Sequence, residues 1–156
     1  MNPRSFHELF LQLLRPQNRT RTSKTVEVFG WLILVESNLM LLAPHLAASV
    51  LHLPPLVEQA AHYFQLVGLL VGGLGMLYIV SGRMDSEGFF FASLLDRPLV
   101  PFVMLVLWRF QIIPGPLALA FSLQDGLSFW WTLATWRAER AKGPAAPEAF
   151  SETPIT

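Results

Sequence analysis

Four stretches of the chain are almost entirely apolar, and each is close to the length of a membrane-spanning helix. A bilayer core about 30 Å thick needs roughly 20 mostly apolar helical residues. The four stretches cover residues 26–43, 63–80, 99–113 and 117–136. The pattern predicts an all-α integral membrane protein, folded as a bundle of four transmembrane helices behind a short N-terminal amphipathic helix.

The third stretch is the shortest, and its start can be interpreted in two ways. In the first, the helix begins with the apolar run at 99, because Asp96 can cap it and Pro98 suits a first turn. In the second, the helix begins near Phe89, which would leave Asp96 and Arg97 inside lipid. The cost of placing charge in lipid favours the short third helix.

Positively charged residues collect on one side of this four-span topology. Of the eleven Lys and Arg residues, all except Arg109 fall on the side that holds both termini. These residues are Arg4, Arg15, Arg19, Arg21, Lys24, Arg83, Arg97, Arg137, Arg140 and Lys142. Because cytoplasmic loops carry an excess of Lys and Arg, we expect a multi-pass protein of the cell inner membrane with both N- and C-termini cytoplasmic.

The segments outside the spans divide the chain into three parts. Residues 1–25 are predicted to form a cytoplasmic amphipathic helix and a basic linker, 26–136 the transmembrane domain, and 137–156 a disordered cytoplasmic tail. In the first part, Ser5 and Glu8 can form a capping box, and Pro16 follows the end of the helix. This helix lies either on the membrane surface or against the protein's own cytoplasmic face.

The segment 44–61 is fairly apolar, although it connects two predicted spans. It has no Lys or Arg and a single acid, Glu58, and Pro54 and Pro55 break any helix through it. We expect it to form an interfacial or re-entrant cap over the outer end of the bundle.

The composition agrees with a membrane protein and excludes several other classes. Hydrophobic residues make up 53% of the chain and charged residues 14%, whereas soluble domains usually contain about 25% charged residues. The net charge of zero argues against a nucleic-acid partner. The absence of cysteine excludes disulfide scaffolds and thiolate metal sites. The four histidines lack metal-ligand spacing, so we expect neither a metal nor a cofactor.

A cluster of ionisable residues is predicted inside the membrane. Glu36 and Asp125 lie about 12–13 Å from the outer ends of their helices, and Arg109 about 6–8 Å from the outer end of its helix. Helical side chains lean towards the N-terminus, which carries Arg109 towards the two carboxylates. We therefore expect these three groups, with Asn38 and Ser122 beside them, to meet in the outer half of the bundle.

Three interpretations of this cluster remain open. It can be an Arg–carboxylate bridge that fixes the register of the helices. It can be a ligand pocket or proton-handling site, in which Glu36 and Asp125 are the candidate acid and base. Alternatively, Arg109 extends to the outer interface and takes no part in it.

The second apolar stretch is rich in glycine. Gly68 and Gly72 form a G-x-x-x-G pair, and Gly75 follows on a nearby face. Such glycines allow another helix to approach closely. The sequence favours this packing within the monomer over a dimer contact.

The chain resembles the small DoxX-like membrane proteins of bacteria in its four short spans, its two cytoplasmic ends and its glycine-rich second span. The resemblance covers residues 26–136 and rests on the hydropathy pattern. It implies the four-span topology and carries no motif from which a mechanism can be transferred.

The sequence is compatible with three hypotheses about the function. The first hypothesis is a scaffold or accessory subunit, or a bundle that binds an apolar small molecule, with lipid and a membrane protein as partners. The second is a lipid- or isoprenoid-modifying enzyme that uses the intramembrane carboxylates. The third is a small proton-coupled carrier, although the chain has no internal repeat of the kind that many carriers show.

Overall fold

A computed structural model of the chain describes residues 5–17 and 19–141, and these are helical apart from short connections. The helices are α1 (Phe6–Leu14), α2 (Arg21–Leu42), α3 (Pro44–Val50), α4 (Glu58–Arg83), α5 (Glu87–Asp96), α6 (Leu99–Arg109) and α7 (Gly115–Ala141). Among these described residues, three segments are long and apolar enough to cross a membrane: Arg21–Leu42, Glu58–Arg83 and Glu87–Arg109. The helix α7 is longer than these but less apolar, because Gln124 and Asp125 interrupt its sequence.

One end of the bundle is tied together by charged side chains, and we call it the charged end. Here Arg83, at the end of α4, donates to Glu27 near the start of α2 at 2.8 Å. Arg140, at the end of α7, pairs with Glu87 at the start of α5 at 2.6 Å. The helices α2 and α5 therefore begin at this end, and α4 and α7 finish there.

The opposite end, which we call the α3 end, is covered by α3. Ala47 and Ala48 of α3 are buried, and the chain turns back into α4 after Pro54 and Pro55. This agrees with a cap formed by the connection between the first two long helices. The amide of Gln65 in α4 donates to the carbonyl of Leu41 in α2 at 2.9 Å, which joins the two helices near this end.

Glycine allows α2 and α4 to pack along their whole length. Gly68, Gly72 and Gly75 are buried in α4, and a Cβ atom at Gly75 would lie 3.0 Å from the carbonyl oxygen of Gly30 in α2. A Cβ at Gly30 would in turn lie 2.8 Å from the backbone nitrogen of Ile79. Gly68, Gly72 and Gly75 therefore all face α2 of the same chain, where the sequence predicted packing inside the monomer.

The third long segment starts earlier than the sequence favoured. The helix α6 alone has 11 residues and a length of only about 16 Å, but α5 precedes it directly and the two together run from Glu87 to Arg109. Asp96 is the last residue of α5 and caps nothing in α6, whose N-cap is Pro98. The predicted start of the helix at 99 is confirmed for α6, whereas the predicted cap by Asp96 was wrong.

The break between α5 and α6 follows from two prolines. Pro98 and Pro101 have no N–H group, so the carbonyls of Leu94 and Arg97 lose their usual helical donors. The chain resumes as a helix at Leu99 after a single turn. This break places Arg97 about ten residues, or roughly 15 Å, from the charged end.

Two of the predicted boundaries between the parts of the chain differ from the ends of the described helices. The helix α2 begins at Arg21, so the end of the predicted basic linker belongs to the bundle. The helix α7 continues to Ala141, so the first residues of the predicted tail are helical. Most of that tail, 142–156, lies outside the described residues. In α1, the backbone N–H of Ser5 donates to Glu8 at 3.0 Å, as the predicted capping box requires.

Candidate functional site

Arg97 is the arginine that the fold buries. Its exposed fraction is 0%, and its Nη1 donates to the hydroxyl of Thr132 at 2.9 Å and to the carbonyl of Ser128 at 3.1 Å. Its guanidinium carbon lies 4.1 Å from the ring centre of Phe29 and 5.2 Å from that of Tyr78. The side chain thus joins the α5–α6 break to α2, α4 and α7.

Two nitrogen atoms of Arg97 have no hydrogen-bond partner among the described residues. Nε and Nη2 are fully buried, and neither finds an acceptor there. The faces of Phe29 and Tyr78 stabilise the cation instead, because an aromatic ring presents negative charge to a cation above it. A buried guanidinium that satisfies only part of its donors needs a counter-charge nearby.

Asp125 supplies that counter-charge from α7. Its exposed fraction is 9%, and Arg97 is the positive group that acts on it, while Asp96 and Glu36 act on it as like charges. Arg97 and Asp125 form no ion pair within 4 Å in the part of the chain that the structure describes. Their charges therefore act on each other at more than 4 Å, without a direct bridge.

Glu36 lies on α2 at the level of Asp125. Its Oε2 accepts a hydrogen bond of 3.0 Å from the amide nitrogen of Gln124, the residue next to Asp125 on α7. The predicted common level of the two carboxylates is thus observed. Glu36 is half-buried, and no Lys, Arg or His among the described residues pairs with it.

A cavity of about 240 Å³ opens beside Glu36, under α3. Glu36 and Gln124 are the charged and amide groups in its wall, and all its other lining side chains are apolar. These are Leu39, Met40, Ala47, Val50, Leu51, Val67, Val71, Ala120 and Phe121. The wall is built from α2, the α3 cap with the residue after it, α4 and α7, so it exists only in the assembled bundle.

Three of the predicted cluster residues do not join this site. Arg109 is exposed and pairs with neither carboxylate among the described residues. Because it is the last residue of α6, it lies at the α3 end, beyond the level of the carboxylates. Asn38 is exposed and donates to the carbonyl of Leu34 in its own helix at 2.7 Å. Ser122 lines a separate apolar groove between α6 and α7.

The sequence analysis missed two charged residues that hold the bundle together. Arg97 was assigned to a cytoplasmic loop, and Glu27, which binds Arg19 and Arg83, was not considered at all. The length of α6 could have indicated that Arg97 lies inside the bundle. Its 11 residues alone are too few to cross a bilayer, so the segment before them, with Arg97, has to contribute. Glu27 stands within the first apolar stretch and could have been recognised there.

A metal site is not found among the described residues, which contain no group of three His, Asp or Glu side chains close enough to hold an ion. Comparison with known proteins gives no family either: no family model matches the chain. No curated protein and no solved structure matches it.

Proposed function

We propose that the protein is an integral membrane bundle of four spans that binds an apolar small molecule in the cavity under α3. The proposal for the membrane rests on the distribution of apolar and polar side chains in the fold. In α7, Asp125 and Thr132 point into the bundle, whereas Leu119, Leu127 and Trp130 are exposed. A surface of this kind is unfavourable in water and suited to lipid.

The fourth span in this proposal is α7. Its low hydropathy comes from polar residues that face α2 and the α5–α6 break, so that lipid would meet its leucines and tryptophans. Its 27 residues give a length of about 40 Å, enough to cross a bilayer with some tilt. Four spans are also what the resemblance to the DoxX-like proteins implies.

The charged end is proposed to face the cytoplasm. It carries Arg19, Arg83 and Arg140, and an excess of Lys and Arg marks the cytoplasmic side of a membrane protein. The helix α1 lies against this end, where Arg83 donates to the carbonyl of Leu13 at 3.1 Å. Phe6 of α1 is 83% exposed, which favours α1 lying on the membrane surface.

The observation that supports ligand binding is the cavity beside Glu36. It is concave, almost wholly apolar and equipped with two convergent polar groups, which is the usual form of a small-molecule site. The enzyme hypothesis would need both carboxylates in one cavity, but Asp125 does not line this one. The observations favour binding over catalysis, and we propose no reaction.

The cysteine-free chain gives a direct test of topology. Single cysteines replace exposed residues at both ends: Ser49 and Ile112 at the α3 end, and Gln17 and Ala138 at the charged end. We expect a membrane-impermeant maleimide to label Ser49→Cys and Ile112→Cys in intact cells. Gln17→Cys and Ala138→Cys should react only after permeabilisation.

The labelling pattern separates the alternatives. Reaction of Ala138→Cys in intact cells, with Gln17→Cys protected, would mean that α7 does not return across the membrane. Recovery of all four variants in the soluble fraction would disprove the membrane assignment.

Ligand binding is tested with Ala120→Phe, which fills the cavity and should abolish the uptake of an apolar probe such as 1-octanol by the purified protein.

A further inference from the structure

The residues that line the cavity under α3 also indicate which head group its ligand has. We propose that this site selects an apolar molecule with a hydrogen-bond-donating cationic head, an alkylammonium group, which Glu36 binds. This inference rests on the proposed function, because it concerns the same cavity. It adds the chemical class of the ligand.

The charges inside the bundle do not balance. Between the charged end and the α3 end, the described helices bury or half-bury Arg97, Asp125 and Glu36. Arg97 acts on Asp125, which leaves Glu36 without a positive partner among the described residues. A carboxylate with one hydrogen bond and no cation, partly removed from water, binds a cation more strongly than it would on an open surface.

The position of Glu36 directs that charge into the cavity. Oε2 of Glu36 accepts from Gln124 at 3.0 Å, which holds the carboxylate against the wall formed by α7. Its other oxygen accepts no hydrogen bond from the described residues. An ammonium group offers three donors and no acceptor, so it matches a carboxylate oxygen with unused lone pairs.

The same arrangement disfavours other head groups. A carboxylate head would meet the like charge of Glu36, which lines the cavity, and like charges in one site repel. A hydroxyl head can donate one hydrogen bond to Glu36 but gains no charge attraction. For ligands with the same apolar chain, we therefore expect the affinity to be highest for the amine, lower for the alcohol and lowest for the acid.

The size of the cavity limits the apolar part of the ligand. Its volume of about 240 Å³ is below the 300 Å³ or more of a typical drug-sized pocket. A chain of about eight carbons is thus a suitable probe, and a full lipid would have to leave most of its tails in the bilayer.

The test compares three probes that share one chain and differ in the head: n-octylamine, 1-octanol and octanoate. Each is titrated into the purified full-length protein in neutral detergent, near pH 7, with binding followed by calorimetry. The matched variants are Glu36→Gln, which removes the charge in the cavity, and Glu58→Gln, which removes an exposed acid from the same end of the bundle. Partition of each probe into micelles is common to all variants and cancels in their ratios.

We expect octylamine to bind the parent protein about tenfold or more tightly than octanol, because close charge pairs in binding sites contribute more than 1.4 kcal/mol, which corresponds to tenfold. Glu36→Gln should reduce this ratio about tenfold relative to the parent protein, and Glu58→Gln should leave it unchanged. An equal affinity for both probes in the parent, or a ratio that survives Glu36→Gln, would overturn the inference.

The outcomes also distinguish this inference from the proposed function. If octanol and octylamine bind equally and Ala120→Phe abolishes both, the apolar site stands and its preference for an ammonium head is refuted. If no probe binds the parent protein, both the site and its preference are refuted.

Discussion

Arg97, at the break between α5 and α6, donates a hydrogen bond of 2.9 Å to the hydroxyl of Thr132 on α7. Thr132 in turn lies 3.1 Å from the hydroxyl of Thr25 on α2. All three side chains are buried. This chain of contacts connects three long segments of the bundle at one depth and makes Arg97 the residue on which their arrangement depends.

Arg97→Met should therefore strongly destabilise the bundle. The substitution keeps an apolar stem but removes the hydrogen bonds to Thr132 and Ser128 and leaves Asp125 without its counter-charge. Because a hydrogen bond from a charged group contributes about 1.5–3 kcal/mol, we expect a loss of at least that size. Thermal unfolding in detergent measures the effect. Arg109→Met is the matched control, because Arg109 is exposed and its loss should change stability by about 0.5 kcal/mol or less. Similar losses for both variants would contradict the role of Arg97.

Replacing both charges should be less damaging than the two single changes indicate. Asp125→Leu alone leaves the Arg97 cation without its counter-charge. The double variant Asp125→Leu with Arg97→Met removes the buried charge at both positions. Buried pairs can often be replaced together by apolar residues at little cost. We expect the double variant to be more stable than the sum of the single losses predicts, by about 1 kcal/mol or more. Strict additivity in the unfolding free energies would show that the two groups do not interact.

Gly72→Leu should disrupt the contact between α2 and α4. Gly72 is buried against Ser37, so a larger side chain must push the helices apart, and overpacking of this kind costs about 1–3 kcal/mol. The neighbouring Gly73 faces open space, with no atom within 4 Å of an added Cβ. Gly73→Leu should therefore leave the melting temperature in detergent nearly unchanged. A loss of stability in Gly73→Leu equal to that in Gly72→Leu would refute this packing.

Glu139→Gln should weaken the start of α2. The carboxylate of Glu139 accepts from the backbone N–H groups of Arg21 and Thr22 and from the Thr22 hydroxyl. A negative charge at a helix N-terminus contributes up to about 1 kcal/mol. The control is Glu87→Gln, which removes an exposed ion pair with Arg140 that should contribute less. Hydrogen exchange in the first turn of α2 should accelerate in Glu139→Gln and remain unchanged in the control.

The sequence predicted the helices well because hydropathy reports directly on long apolar segments. The first two long apolar helices, the cap at 44–61 and the glycine contact of α2 with α4 all follow from local composition. The common level of Glu36 and Asp125 was also predictable, because helical rise fixes the depth of a residue once the ends of its helix are known.

Hydropathy could not predict that Arg97, and not Arg109, is the arginine inside the bundle. From the sequence alone, a buried Arg97 would have to bear the cost of a charge in lipid. The fold instead surrounds it with Phe29, Tyr78 and Thr132 from three other helices. Those partners are remote in sequence, and their proximity depends on tertiary packing. Arg109 looked suitable because its side chain leans inward along its own helix, yet α6 contributes no buried residue, so Arg109 faces outward.

The helix α6 differs from the other long segments in that it buries none of its residues and packs chiefly along α7. With Pro98 at its start, it has no continuous helix to anchor it to the tightly packed half of the bundle. Its amide protons should consequently exchange with solvent sooner than those of α2 or α4, since local opening is easiest where few side chains are lost from the interior. The helices α2 and α4 thus form the tightly packed part of the protein, and we expect its unfolding to begin with the release of α6.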